Sequence, residues 1–164
     1  MARILVIRLS AIGDVAMTIP VIYSAARANP EHTFTVLTQV FLIPAFINRP
    51  PNVEMMGINT FASEKALPGL IRFAGAYSRY DFDIVLDLHS VLRTKIISLF
   101  FLLRGKKVFS LNKARTERRQ LTRQGKKKTL EPLRPVAERY ADVFKAAGLR
   151  YADTFNHLFD NAPG

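Results

Sequence analysis

The sequence predicts a doubly wound, mostly parallel α/β sheet, and three observations carry that prediction. Strand-like runs alternate with segments of helical spacing, in the order β-α-β-α-β-α-β-α-β-α. The first run, Ile4–Arg8, is apolar on consecutive residues instead of alternating, as strands covered on both faces are. With right-handed crossovers, such an order folds into one sheet with helices on both faces.

Each element follows from its residues. Ile4–Arg8 is the central strand. Val15–Ala28 has apolar residues at Val15, Ile19, Ile22 and Ala26, which is helical spacing. Pro20 lies inside it and removes a hydrogen bond, so a kink or a first helix ending near Thr18 is expected. Asn29-Pro30 stops the helix. Thr33–Thr38 alternates and is rich in β-branched residues, hence a strand. Phe41–Phe46 reads as a short helix before the breaker Asn48–Pro51, and Val53–Ile58 as a third strand. Ser63 caps a helix to about Tyr80 with the stripe Leu67, Leu70, Ile71, Ala74 and Tyr77. Asp83–Leu88 is a second buried strand, His89-Ser90 its turn, and Val91–Leu103 an apolar helix ended by Gly105. Lys107–Leu111 is the last strand, and Ala114–Arg123 has helical character. The stretch 124–129 has loop character and is expected to be disordered. Pro135–Ala147 is a helix with the core stripe Val136, Tyr140, Val143, Phe144 and Ala147, capped by Gly148. One domain over residues 1–159 is expected, with 160–164 as a tail or the start of a linker.

Composition narrows the function. A hydrophobic fraction of 49% describes a folded chain and not a disordered one. Without cysteine, neither a disulfide framework nor a thiolate metal site can form. His32, His89 and His157 lie far apart and show no metal-ligand spacing. The chain opens on a strand, so no secretory leader is expected. The longest apolar run, Ile96–Leu103, is interrupted by Ser98 and is far shorter than the ~20 residues of a membrane span. A cytoplasmic location is the expectation. Residues 104–139 hold 13 of the 24 Lys and Arg with three acids, and so carry +10 of the net +11. Such a cluster suits an anionic partner (a phosphorylated substrate, membrane headgroups or nucleic acid), or is a solvated face.

In a parallel sheet, ligands sit beyond the carboxyl ends of the strands. Two turns qualify. Ser10–Asp14 follows the first strand and offers a carboxylate where a helix begins. Asp14 is either an N-cap accepting backbone N–H bonds or a general base that takes a proton from a substrate hydroxyl. Ser10 and Gly13, with the helix N-terminus, can hold an anion through backbone N–H groups. The second turn, His89-Ser90, follows Asp87, which stabilises a helix N-terminus or pairs with Arg8 or Arg93. Arg8 is unusual in a buried strand, and either pairs with a rim carboxylate or faces an anionic ligand. No G-x-G-x-x-G follows the first strand and no G-x-x-x-x-G-K-[ST] occurs, which argues against a dinucleotide dehydrogenase and a P-loop enzyme.

Four stretches resemble a known family. Ile4–Pro20 (ILVIRLSAIGDVAMTIP) resembles the N-terminal signature of the lipopolysaccharide heptosyltransferases, glycosyltransferase family 9. Tyr80–Thr94 (YDFDIVLDLHSVLRT) is similar to that family's Tyr-Asp…Val-Ile-Asp-x-Gln-Gly-Leu-x-Lys/Arg-Ser, with His89-Ser90 in place of Gln-Gly. Ala114–Arg118 (ARTER) falls where the family has a basic acceptor-side loop, and Pro135–Phe144 (PVAERYADVF) looks like its Glu-Arg helix.

The resemblance implies the N-terminal, Rossmann-like half of a GT-B fold, in which the acceptor binds one domain and the nucleotide-sugar donor the other. It implies inverting transfer of heptose from ADP-heptose to the lipopolysaccharide inner core. Asp14 matches the proposed base. Arg8, Ser10, Gly13, His89, Ser90, Arg115, Arg118 and Arg119 fall on the acceptor side, and Lys126–Lys128 are weaker candidates. No cofactor, metal or nucleic acid is implied. The partners are a lipopolysaccharide core acceptor, a donor held by a further C-terminal domain, and a peripheral contact with the inner face of the inner membrane. The chain is expected to end where the linker to that domain starts, and to be inactive alone. Two other readings stay open: a non-catalytic anion- or nucleic-acid-binding module using the basic 104–139 segment, and an inactive α/β domain serving in assembly. Against the nucleic-acid module, only Phe109 and Tyr140 lie in or beside that segment as aromatics for base stacking.

Overall fold

Ile4, Leu5, Val6 and Ile7 are all fully buried, which only a strand covered on both faces allows. They form β1 (Arg3–Ile7) at the centre of a five-stranded sheet. The computed structural model describes residues 1–59, 69, 71–72, 75–76, 80–112 and 134–158. The other strands are β2 (Thr33–Gln39), β3 (Val53–Ile58), β4 (Ile84–Asp87) and β5 (Lys107–Ser110). All pair in parallel, in the order β3-β2-β1-β4-β5. Ile4 sits in register with Phe34 on one side and Ile84 on the other.

Helices α1 (Ile12–Ala28) and α3 (Val136–Ala146) pack together on one face, and α2 (Leu92–Leu103) packs on β4 and β5. Alternate strand residues feed the two layers. Ile4, Val6, Phe34 and Val36 join Val15, Ile19, Tyr140 and Phe144. Leu5, Ile7, Leu37 and Val85 join Ile97 and Phe101 on the α2 side. The doubly wound architecture is as the sequence predicts.

Two expectations are corrected, and a third takes a more specific form. Pro20 does not end α1 near Thr18, for the helix runs unbroken to Ala28. Proline costs a helix interior ~3 kcal/mol. Around it Ile19, Val21, Ile22 and Tyr23 are buried, each contributing about 1.5–3 kcal/mol, and burial wins. The short helix expected at Phe41–Phe46 is present, as a 3-10 helix over Val40–Ala45 that contains Pro44. Of the helix expected over 63–80, the described residues Gly69, Ile71, Arg72, Gly75 and Ala76 are helical. Ile71, placed in its core stripe, is 46% exposed. The stripe partners Leu67, Leu70, Ala74 and Tyr77 lie outside the described residues, as do the stretches 114–123, 124–129 and 160–164, expected as helix, loop and tail.

Glycine ends α2 and α3 as foreseen. Gly105 (φ 73°) and Gly148 (φ 81°) take the left-handed conformation that a Cβ disfavours. Among the described residues no helix is long and apolar enough to cross a membrane.

The strand order fixes where a crevice opens. From β1 the chain winds outward through β2 to β3, then returns to β4 on the other side of β1. The connections at the carboxyl ends of β1 and β4 therefore diverge, which opens a crevice between them.

Candidate functional site at the β1–β4 crevice

Arg8, the first residue beyond β1, ties the crevice together. Its backbone N–H donates to Leu37 O at 3.0 Å, extending the β1–β2 ladder. Its Nη1 donates to Leu88 O, just beyond β4, at 2.7 Å. Its Nη2 forms an ion pair with the Asp14 carboxylate. Its guanidinium carbon lies 5.8 Å from the centre of the Tyr140 ring on α3. With 5% of its surface exposed, Arg8 is a clamp across β1, β4, α1 and α3. Of the two roles the sequence left open for Arg8, pairing with a rim carboxylate is what the structure shows.

Asp14 does not cap α1. The N-cap is Ala11, with no side-chain cap bond, and Val15 N–H donates to Ala11 O at 2.8 Å. Asp14 sits in the first turn, where helical side chains tilt back toward the N-terminus. That tilt, together with Arg8, aims the carboxylate at the crevice. Its side chain is 45% exposed, and Oδ2 carries the ion pair. No described residue donates to Oδ1. A carboxylate with one oxygen fixed and one open to solvent can accept a proton from a hydroxyl placed against it.

The cleft over Asp14 has a volume of about 210 Å³ and is lined by Arg8, Asp14, His89, Leu111, Arg139 and Tyr140. Burial pushes the Tyr140 phenol above its ordinary pKa; Arg8 pulls it down and Asp14 pushes it up. Tyr140 therefore stays protonated at neutral pH. Arg139 is anchored by an Nη2 bond to Asn112 O at 2.6 Å.

The β4 turn uses its carboxylate differently. Asp87 is fully buried. Its Oδ1 accepts the backbone N–H groups of His89 (3.0 Å) and Ser90 (2.8 Å), and its Oδ2 accepts the Thr94 hydroxyl (2.9 Å). Thr94 Oγ1 in turn accepts the Val91 N–H at 3.1 Å, securing the start of α2. Asp87 thus stabilises a helix N-terminus, one of the two roles expected of it. Ser90 has φ 49°, a left-handed conformation that glycine takes without cost.

The structure brings Arg8, Ser10, Asp14, His89 and Ser90 to one sheet edge. Gly13 lies in the exposed first turn of α1, and a Cβ there would meet nothing within 4 Å. Arg115, Arg118, Arg119 and Lys126–Lys128 lie outside the described residues. Tyr140 and Arg139 were not foreseen as site residues. Tyr140 read as core because its helical spacing is that of a core stripe, and it is both buried and part of the cleft wall. The signal for Arg139 was the Glu-Arg motif on the same helix. Among the described residues no group of three or more His, Asp or Glu could hold a metal ion.

The sheet order defines a Rossmann-like α/β domain, with the crevice and the rim carboxylate at its switch point. Its likenesses among solved structures include glycosyltransferases. A glycosyltransferase family 9 protein from Veillonella parvula superposes with a TM-score of 0.62 at 23% identity, covering 94% of this chain and 43% of that one. The heptosyltransferase WaaC of E. coli with ADP gives 0.59 at 20% identity, over 94% of this chain and 49% of that one. The same enzyme with ADP-2-deoxy-2-fluoro heptose gives 0.59, over 98% and 52%. The chain thus spans about half the length of these structures, or less, and shares their fold. No protein-family model and no curated protein matches the sequence.

Proposed function

We propose that this chain is the acceptor-binding half of an inverting glycosyltransferase, one that moves heptose from ADP-heptose to the lipopolysaccharide inner core. The observation that carries this is Asp14: a half-exposed carboxylate, oriented by Arg8, at the switch point of a fold that family 9 glycosyltransferases share. The acceptor hydroxyl lies against Asp14 Oδ1 and gives up its proton there. The hydroxyl oxygen attacks the anomeric carbon from the face opposite the leaving group. The bond from that carbon to the diphosphate oxygen breaks, ADP departs, and the configuration inverts. One base on the acceptor side is enough for this displacement.

Arg8 holds the carboxylate in place and lines the cleft over it. A second domain holds the nucleotide, so the chain alone is inactive. The positive charge of the basic segment 104–139 suits the phosphates and acidic sugars of the acceptor at the inner face of the membrane. The test is transfer by the chain joined to a donor domain, compared with its Asp14→Asn variant. Loss of a general base lowers kcat by about 10²–10⁴. Turnover near that of the parent would overturn the assignment.

A further inference from the structure

Helix α2 is apolar on two faces, and the sheet uses one of them. Thr94, Ile97, Ser98 and Phe101 are buried, with Ile97 and Phe101 packed among Leu5, Ile7 and Val85. The opposite face carries Leu92, Ile96, Leu99 and Leu103 at i, i+4, i+7 and i+11, with Leu102 beside them. The four leucines are between 49% and 77% exposed. A contiguous apolar stripe left in water on a surface helix marks a contact. The charges around it are of one sign. Residues 92–107 hold Arg93, Lys95, Arg104, Lys106 and Lys107 and neither Asp nor Glu. Lys95 is exposed one turn before Leu99, and Arg104 and Lys107 are exposed just past the end of the stripe. Lys106 is paired with Asp81 at 2.6 Å.

A second copy of the chain is a poor cover for this stripe. In an antiparallel two-fold pairing, Arg104 and Lys107 of one copy meet Arg93 and Lys95 of the other. A parallel pairing sets each cation against itself, and like charges repel in both. A bilayer with acidic headgroups accepts both features at once. Leucines enter the acyl boundary while the Lys and Arg stems reach up to the phosphates. We propose that α2 lies flat in the surface of an anionic bilayer, with Leu92, Leu99, Leu102 and Leu103 inserted and Lys95, Arg104 and Lys107 on lipid phosphates. The helix begins after the carboxyl end of β4 and ends before β5 starts, so it runs back along the sheet. Laid flat, it keeps the β1–β4 crevice at the bilayer surface and not within it. The stripe and its charges carry this proposal without the glycosyl-transfer reading. Joined to that reading, the docked orientation puts Asp14 beside a membrane-borne acceptor.

The test is co-sedimentation of the chain with vesicles. Phosphatidylglycerol in phosphatidylethanolamine gives the anionic surface, and phosphatidylcholine alone the neutral one. The chain partitions onto the anionic vesicles about tenfold more strongly. Leu99→Gln combined with Leu103→Gln, both at exposed positions, lowers that partition by about tenfold and leaves the urea midpoint in place. Lys95→Gln combined with Lys107→Gln lowers it by about tenfold on the anionic vesicles alone. The chain has no Trp, so Leu103→Trp adds a lone indole. Its emission moves to the blue on anionic vesicles and is quenched by brominated acyl chains. Failure to bind anionic vesicles, equal binding by parent and leucine variant, or no quenching overturns the proposal. So does a lipid-free dimer that the leucine variant dissociates, which would make the stripe a contact between copies. The two readings fail separately. Transfer lost in Asp14→Asn with no vesicle binding by the parent removes the membrane face alone. Vesicle binding through the leucines with turnover undiminished in Asp14→Asn removes the base alone.

Discussion

Asp14 and Asp87 are the same residue type at the carboxyl ends of neighbouring strands, and the structure gives them opposite work. Asp87 is fully buried and accepts from His89, Ser90 and Thr94. Its oxygens are committed to building the β4 turn and the start of α2. Asp14 is 45% exposed and keeps one oxygen clear of every described donor. Around it the helix start has no side-chain cap, and a buried arginine holds it from behind. A carboxylate saturated with internal donors is scaffold, and one anchored on a single side is available for chemistry. Position at a strand end is shared by both residues; saturation separates them.

That contrast can be broken by substitution, most severely at Asp87. Asp87→Asn turns one acceptor oxygen into a donor facing other donors in a dry site, and is expected to cost about 3 kcal/mol or more. Urea unfolding measures it, and a cost below about 1 kcal/mol would mean that Asp87 is not scaffold. Asp14→Asn removes the charge partner of a buried guanidinium. Because Asp14 is half exposed, water replaces part of the loss, and about 1–2 kcal/mol is expected, less than at Asp87. A larger loss than Asp87→Asn in the same assay would reverse the contrast.

The two turns also differ in backbone, which sharpens the comparison through smaller effects. Ser90 holds a left-handed φ that costs an L residue about 1–2 kcal/mol, so Ser90→Gly should stabilise the fold by about 1 kcal/mol. A raised urea midpoint checks this; a lowered one would show that the Ser90 side chain matters more than its φ. Gly13→Ala should stabilise by no more than about 0.5–1 kcal/mol, since alanine is the better helix former and its Cβ meets open space. If the same variant also weakens acceptor binding, Gly13 is where the ligand approaches the backbone.

Several parts of this architecture are legible in the residues. Four consecutive buried apolar side chains announce β1, and the terminators Gly105 and Gly148 sit where the helical stripes end. The turn Ser10–Asp14 stands out as the break between an apolar strand and an apolar helix. Pro20 misleads because propensity is a local quantity, whereas the buried residues on either side of it gain their energy from the sheet. Gln39 looks like the end of an alternating strand, and nothing local says that it closes a cleft with Arg93, far along the chain. Asp14 looks like a cap because Asp at a helix start usually is one. Its true partner, Arg8, has the spacing of a strand residue and reaches it only after the β1–α1 turn has folded back.

By itself the sequence determined the strands, the helices and the order that winds them into a parallel sheet, because burial period and turn chemistry are written within a few residues of one another. Only the tertiary structure decided which carboxylate is spent and which is open. Arg8 reaches the carbonyl of Leu88 across 80 residues, and Tyr140 covers its guanidinium from the last described helix. Saturation and exposure belong to whichever elements converge on a point. At the β1–β4 crevice the sheet order sets that convergence, and no single stretch of the chain does.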